Sequence, residues 1–209
     1  KRIDPESLPD RDVKFSMLSL AIDGLTDAGY EQIGMDHFAL RSDELAMAHH
    51  ERTLSRNFMG YTTKRGTEIV GLGTSAISDV GGSYAQNHRR MASYLAAVDA
   101  GELPTERGIL LNADDKLRRH VITELMCNGR LLAQEMTDRF DILVEEHFAD
   151  ELAEMRAPGG LIEAGFVEIN GNNIEATPVG RMFIRNVAMV FDTRLKARAT
   201  DDQMFSRTV

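Results

Sequence analysis

Tyr30-Glu31-Gln32-Ile33-Gly34, set between an amphipathic stretch at Asp12 to Ala28 and the capping run Ser42-Asp43-Glu44, decides the fold class. Upstream of it, Met17, Leu18, Ala21, Ile22 and Leu25 fall on one face at helical spacing, and Gly29 ends that helix. The five residues after the glycine read as a short strand. Ser42-Asp43-Glu44 then offers an N-cap and two acids where a helix start has free amides and positive dipole. The αβα rhythm continues with strands predicted at Arg56 to Thr62 and Glu68 to Gly73, a glycine-rich loop, and a helix carrying Met91, Tyr94, Leu95 and Val98. Alternation of this kind predicts a parallel sheet. About three strands cannot close a barrel, which needs eight and roughly 250 residues. Residues 1–103 are therefore expected to form the C-terminal remnant of an incomplete (β/α) barrel.

Residues 104–209 read as a mainly helical unit. Asp114-Asp115 opens a helix with Leu117, Val121 and Leu125 four apart, and Phe140, Val144, Phe148, Leu152 and Met155 extend the pattern into a longer one. Phe166 to Ile169 and Asn173 to Thr177 flank Asn170-Gly171, a turn signal, so a β-hairpin is expected near 166–177. Thr177-Pro178 suits a helix start, with Val179, Met182, Phe183, Val187, Val190 and Phe191 as the apolar stripe of one long last helix. Helices followed by a hairpin suggest a winged-helix-like module. The tail ends in Phe205-Ser206-Arg207 and is expected to dock.

The chain has 209 residues, is 43% hydrophobic and carries a formal net charge of -9, which opposes binding to nucleic acid phosphates or an anionic membrane. Between Asp114 and Val209 there are 12 Lys and Arg against 17 Asp and Glu, the wrong sign for a DNA-reading winged helix. No apolar run is long enough to cross a bilayer and no basic-then-apolar leader opens the chain, so it reads as a soluble piece of something longer. The lone cysteine, Cys127, permits neither an internal disulfide nor a multi-thiolate metal site, and a cytoplasmic location is expected.

Three segments could carry chemistry. Gly71 to Ser78 runs a strand into small residues, which lets backbone approach a ligand, although a tight turn has the same composition. Asp36-His37 pairs a carboxylate with an imidazole directly after a strand, fit for proton transfer or for binding a substrate carboxylate, or else for capping and internal hydrogen bonding. Arg56 to Thr63 mixes polar donors with aromatic faces, as a pocket for a flat ligand does, and as ordinary strands also do. The remaining histidines, His49, His50, His88, His120 and His147, show no metal spacing, and Arg118-Arg119 could hold an anion or sit in ion pairs.

Taken in register, these segments resemble one family. Gly29-Tyr30 with Ile33-Gly34-Met35-Asp36-His37-Phe38-Ala39, Asp43-Glu44-Leu45-Ala46, Arg56-Asn57-Phe58 with Gly60-Tyr61-Thr62-Thr63, and Ser75-Ala76-Ile77-Ser78 with Tyr84-Ala85-Gln86-Asn87 are similar to oxygen-independent coproporphyrinogen III oxidase. The likeness runs on through Arg107-Gly108, Asp114-Asp115, Arg118-Arg119, Cys127-Asn128, Gly180-Arg181 and Ile184-Arg185-Asn186. The resemblance implies an incomplete barrel holding a [4Fe-4S] cluster and two S-adenosylmethionine molecules, followed by a helical domain. It implies that a 5′-deoxyadenosyl radical takes hydrogen from propionates of coproporphyrinogen III, which lose carbon dioxide and become the vinyls of protoporphyrinogen IX.

A three-cysteine motif holds such a cluster. One cysteine cannot, so no catalytic or cluster-binding residue is expected in this chain, which alone should be inactive and retain no cofactor. What carries over is Ile77, matching a backbone contact to S-adenosylmethionine, and Phe58 and Met59, matching the cofactor-side strand end. Met59 departs from the usual glutamine, and a thioether replaces an amide poorly as a polar contact. His37 and Asp36 are the candidates for touching substrate. The implied partners are the substrate, the missing N-terminal half of the barrel, and a second copy through open sheet edges. A haem-carrying relative without decarboxylase activity is the alternative reading.

Overall fold

The computed structural model describes Asp4 and residues 7–198. Asp10 caps α1 (Arg11–Asp27) by accepting from the Val13 amide at 2.9 Å, and Gly29, at a φ of 88°, turns the chain away. No residue of α1 is buried, and Met17 and Leu20 remain 58% and 74% exposed. Its apolar stripe therefore has little cover among the described residues. Strands β1 (Tyr30–Gln32) and β2 (Phe38–Leu40) pair antiparallel, and Asp43 caps α2 (Glu44–Glu51).

Two further hairpins follow. Strands β3 (Ser55–Asn57) and β4 (Gly60–Thr62) pair around Phe58 and Met59. Strands β5 (Ile77–Val80) and β6 (Ser83–Asn87) pair around Gly81-Gly82, whose φ values of 60° and 73° form the tight turn. After α3 (Met91–Asp99), β7 (Thr105–Leu110) returns to β6 and completes a three-stranded sheet.

The central element is α4 (Ala113–Asn128). Asn112 and Asp115 form a reciprocal capping box at its start, and Gly129 ends it at a φ of 66°. Leu117, Val121, Leu125 and Met126 enter the larger core with Phe148, Leu152, Met155, Val187 and Phe191. Cys127, on the other side of the same turn, joins a smaller core made by Ile33, Ala39, Ala46, Leu54 and Tyr61. Around α4 lie β8 (Arg130–Leu131), α5 (Ala133–Phe140), α6 (Val144–His147), α7 (Ala149–Arg156), the hairpin β9 (Val167–Asn170) and β10 (Asn173–Ala176), then α8 (Pro178–Met182), α9 (Ile184–Met189) and α10 (Thr193–Arg198). Strand β10 lies between β8 and β9.

Several expectations need correction. Every strand pair is antiparallel, so no parallel sheet or barrel pairing forms among the described residues. Short turns join β3 to β4, β5 to β6 and β9 to β10, and β7 returns to β6 after α3 in the antiparallel sense, so no parallel crossover forms among the described residues. The strand expected at Arg56 to Thr62 is instead the β3–β4 hairpin, because Gly60 takes a φ of 132°. The strand expected at Glu68 to Gly73 is reduced to an isolated bridge between Ile69 and Asp79.

The long helix through Phe140 to Met155 is broken, first at Asp141 with a φ of 55° and again at Phe148. The last helix breaks at Phe183, where 3₁₀-type bonds replace the helical ones. The hairpin, the Thr177 cap and Pro178 stand where the sequence predicts them. The expected docking of Phe205-Ser206-Arg207 lies outside the described residues.

Cys127 is 2% exposed, and burial, reinforced by the nearby Glu124 carboxylate, pushes its thiol up to about 12. At pH 8 the folded chain is expected to resist an aromatic disulfide reagent that titrates one thiol at once in urea. Prompt labelling in native buffer would contradict this packing.

Candidate functional site

The β3–β4 hairpin stands between the small core and the β5–β6–β7 sheet. Its turn is held by the Met59 amide donating to Asn57 Oδ1 at 2.8 Å, which leaves Phe58 54% and Met59 84% exposed. Tyr61 anchors the hairpin: its hydroxyl donates to the Met126 carbonyl at 3.1 Å, one of the acceptors that the last turn of α4 leaves over. Burial raises the Tyr61 phenol above its ordinary value, so it stays a donor. Gly34 explains part of the Gly-Met-Asp-His motif, since a Cβ there would come within 2.2 Å of the Tyr61 ring.

Asp36 and His37 do form a pair, with His37 Nδ1 2.8 Å from Asp36 Oδ1. Asp36 does not cap a helix; Asp43 does that. The carboxylate acceptor assigns the proton of a neutral imidazole to Nδ1, leaving Nε2 with its lone pair. Nε2 faces the hairpin, where a Cβ on Gly60 would lie 3.0 Å away, and the ring meets Tyr61 edge-on at 5.0 Å. The pair is thereby placed beside Phe58-Met59-Gly60.

Phe58 meets Tyr84 of β6 in a T-shaped contact at 5.3 Å. Tyr84 lies opposite Asp79, and two residues along Gln86 lies opposite Ile77, so these four side chains share one face of the sheet. Arg119 of α4 grips Asp79 with both terminal nitrogens, at 3.0 and 2.5 Å, and lies 5.2 Å over the Tyr84 ring. Between this face and α4 is a cavity of about 270 Å³ lined by Arg56, Phe58, Tyr84, Ile122 and Met126 among others. Arg56 Nε is buried there without a partner.

Ile77 is half-buried on edge strand β5. Its main chain is covered by Gly71, where a Cβ would fall 2.8–2.9 Å from the Ile77 backbone. The glycine-rich stretch is thus a pinned loop laid along a strand, not a strand running into a helix. Asn87, 6% exposed, holds it by donating to the Gly71 and Gly73 carbonyls at 3.0 and 2.9 Å.

The structure brings Phe58 and Ile77 to one sheet and His37 to the same hairpin, while Met59 points out without a described polar contact of its side chain. Arg118, held by Asp114, Glu151 and the Phe191 carbonyl, is an ion-pair residue, as is Arg119. Asp79, Tyr84 and Arg119 were not singled out as a unit by the sequence, although the alternation of Tyr84 and Gln86 across a Gly-Gly turn was the available signal.

The family model for the HemN C-terminal domain matches residues 111–183. Three proteins each named oxygen-independent coproporphyrinogen III oxidase align with the whole chain. The one from Escherichia coli is 42% identical and the one from Synechocystis sp. 40% identical, with 45% of each protein's own length covered. The one from Thermostichus vulcanus is 40% identical, with 63% covered. The solved structure described as "Coproporphyrinogen III oxidase (HemN) from Escherichia coli is a Radical SAM enzyme" superposes with a TM-score of 0.86 at 43% identity, covering 92% of this chain and 44% of that one. The chain therefore spans less than half the length of two of these relatives and under two thirds of the third.

Tyr61→Phe is expected to cost about 1–2 kcal/mol, because the Met126 carbonyl loses its donor in a buried place. Urea unfolding measures this, and an unchanged midpoint would contradict it.

Proposed function

Taking the chain as the counterpart of the C-terminal portion of oxygen-independent coproporphyrinogen III oxidases, we propose that it forms the distal wall of the cofactor cleft of such an enzyme. The activity belongs to the longer enzyme: oxidative decarboxylation of two propionates of coproporphyrinogen III to the vinyls of protoporphyrinogen IX, in haem biosynthesis. The observation that carries this reading is that Phe58 packs on Tyr84, whose side chain shares one face of β5 and β6 with that of Ile77, Phe58 and Ile77 being the residues the family resemblance links to S-adenosylmethionine.

The residues present do not suit the cluster. Cys127 is buried with its thiol pushed up to about 12, and among the described residues no three His, Cys, Asp or Glu gather as a metal site. We assign the [4Fe-4S] cluster and its cysteines to the preceding portion of the longer enzyme, and the incomplete barrel with them. This chain alone is inactive. Two S-adenosylmethionine molecules supply the 5′-deoxyadenosyl radical chemistry when bound.

Toward them Phe58 presents an aromatic face, which suits an adenine or a flat macrocycle. Gly71 fixes the Ile77 main chain as a rigid ledge. Met59 contributes apolar contact where the glutamine that the family resemblance implies would hydrogen-bond. His37, its Nδ1 held by Asp36, offers Nε2 beside the same hairpin as an acceptor, or when protonated as a donor to a substrate carboxylate.

We assign residues 1–103 to the side of the cleft and 104–209 to a winged-helix-like cover over it. Sheet β5–β6–β7 bridges the two, since β7 starts at Thr105. The chain lies in the cytoplasm in this reading; no helix among the described residues is long and apolar enough to cross a membrane. No nucleic acid partner is assigned.

The uncovered apolar residues of α1 and α3, such as Met17, Leu20, Met91 and Leu95, face the preceding portion of the longer enzyme. Alone, the chain associates with itself through these faces and the open edge of β7. Sedimentation velocity is expected to show concentration-dependent species larger than 23.3 kDa, and a uniformly monomeric solution would count against this. In the longer enzyme, reconstituted with iron and sulfide without oxygen, Phe58→Ala is expected to lower conversion of coproporphyrinogen III by at least tenfold, about 1.4 kcal/mol of lost stabilisation. Wild-type conversion by that variant would refute the wall assignment.

A further inference from the structure

A second cavity, of about 320 Å³, lies on the opposite flank of α4 and plays no part in the reading above. Its floor is the last part of that helix. Asn128 is 7% exposed, and its amide nitrogen donates to Glu124 Oε2 at 2.5 Å, so Oδ1 is the atom left over. That oxygen is buried without a partner, and so is Nε2 of His120 two turns earlier on the helix. Two orphaned polar atoms lining one cavity are costly unless something fills it.

The walls carry four arginines against three carboxylates. Arg65 is taken by Glu124, but Arg52, Arg130 and Arg139 make no ion pair among the described residues. They come from three different segments: the left-handed end of α2, strand β8 and the last turn of α5. Glu135 and Asp138 line the same cavity, both exposed and neither within ion-pair distance of these guanidiniums. Three guanidiniums without ion pairs, one of them over the Phe140 ring, line the same cavity as two buried atoms, one of which can only accept. The complementary ligand is a small oxyanion that also carries a donor.

We propose that this cavity is a phosphate site, in which inorganic phosphate receives hydrogen bonds from Arg52, Arg130, Arg139 and His120 and gives its remaining O–H to Asn128 Oδ1. Phosphate keeps one O–H at neutral pH, whereas sulfate keeps none, so the buried acceptor distinguishes two anions of the same shape. His120 supports the assignment from a different side. Burial first, and then the charges of Arg139 and Arg65, lower its pKa against the opposing pull of Glu124. Phe140 lies 5.3 Å from its ring. A bound dianion offsets the arginines and raises that pKa.

The experiment is isothermal titration of the full chain with inorganic phosphate, and separately with sulfate, at low ionic strength and pH 7.5. Saturable phosphate binding is expected, at least fivefold tighter than sulfate. Arg130→Gln and Arg139→Gln should each weaken it at least tenfold, while Arg89→Gln, which removes an exposed charge paired with Glu106 elsewhere, should not. The His120 ring proton, followed by NMR, should titrate at higher pH with phosphate present. No saturable binding, sulfate binding as tightly as phosphate, equal weakening by Arg89→Gln, or an unmoved His120 titration would each overturn the proposal. Circular dichroism of each variant checks that a loss of binding is not a loss of fold.

Discussion

The last turn of α4 is the constraint on which the rest depends. Residues 124–129 are buried without a break, so this turn has no free face. Leu125 and Met126 commit it to the large helical core, Cys127 to the small core of the first half, and the Met126 carbonyl to the Tyr61 hydroxyl. An amphipathic surface helix buries one stripe; this one buries its whole circumference for a turn. The β3–β4 hairpin is located by that contact, and the hairpin in turn locates Phe58 and the neighbourhood of His37.

The same helix works as an electrostatic post. Arg118 and Arg119 are adjacent in sequence and point to different partners: Arg118 inward to Glu151 and the Phe191 carbonyl, Arg119 across to Asp79. For Arg118 the ion pairs raise its pKa despite its partial burial, so it is a fixed cation. Neither guanidinium is free to capture a small anion. Three that make no ion pair among the described residues, Arg52, Arg130 and Arg139, gather on the other flank.

Local physics was legible in the sequence, and so was the pairing of β9 with β10 that the Asn-Gly turn dictates, whereas the other pairings were not. The Asn170-Gly171 turn, the Thr177-Pro178 start and the acids at the head of α4 each follow from one residue's conformational or solvation preference. Strand partners depend on what the chain does between strands. Gly81-Gly82 reads as a loop in one dimension, yet its positive φ values fold β5 directly onto β6, turning an expected parallel order into an antiparallel one. The breaks at Asp141 and Phe183 were hidden for a similar reason, because apolar spacing of four continues across a kink. Of the candidate site, Phe58, Ile77 and the Asp36–His37 pair came from motifs in register, while the Asp79–Arg119 clamp joins positions 40 apart that no local pattern connects.

In the proposed reading this chain positions groups at one wall of the cleft, and the preceding portion of the longer enzyme starts the radical reaction. The most direct measurement is complementation: the preceding portion of the longer enzyme, produced separately and loaded with iron, sulfide and S-adenosylmethionine without oxygen, is assayed on coproporphyrinogen III with and without this chain. Protoporphyrinogen IX is expected only when both are present. Equal conversion by the preceding portion alone would contradict the claim that this chain forms a wall of the site.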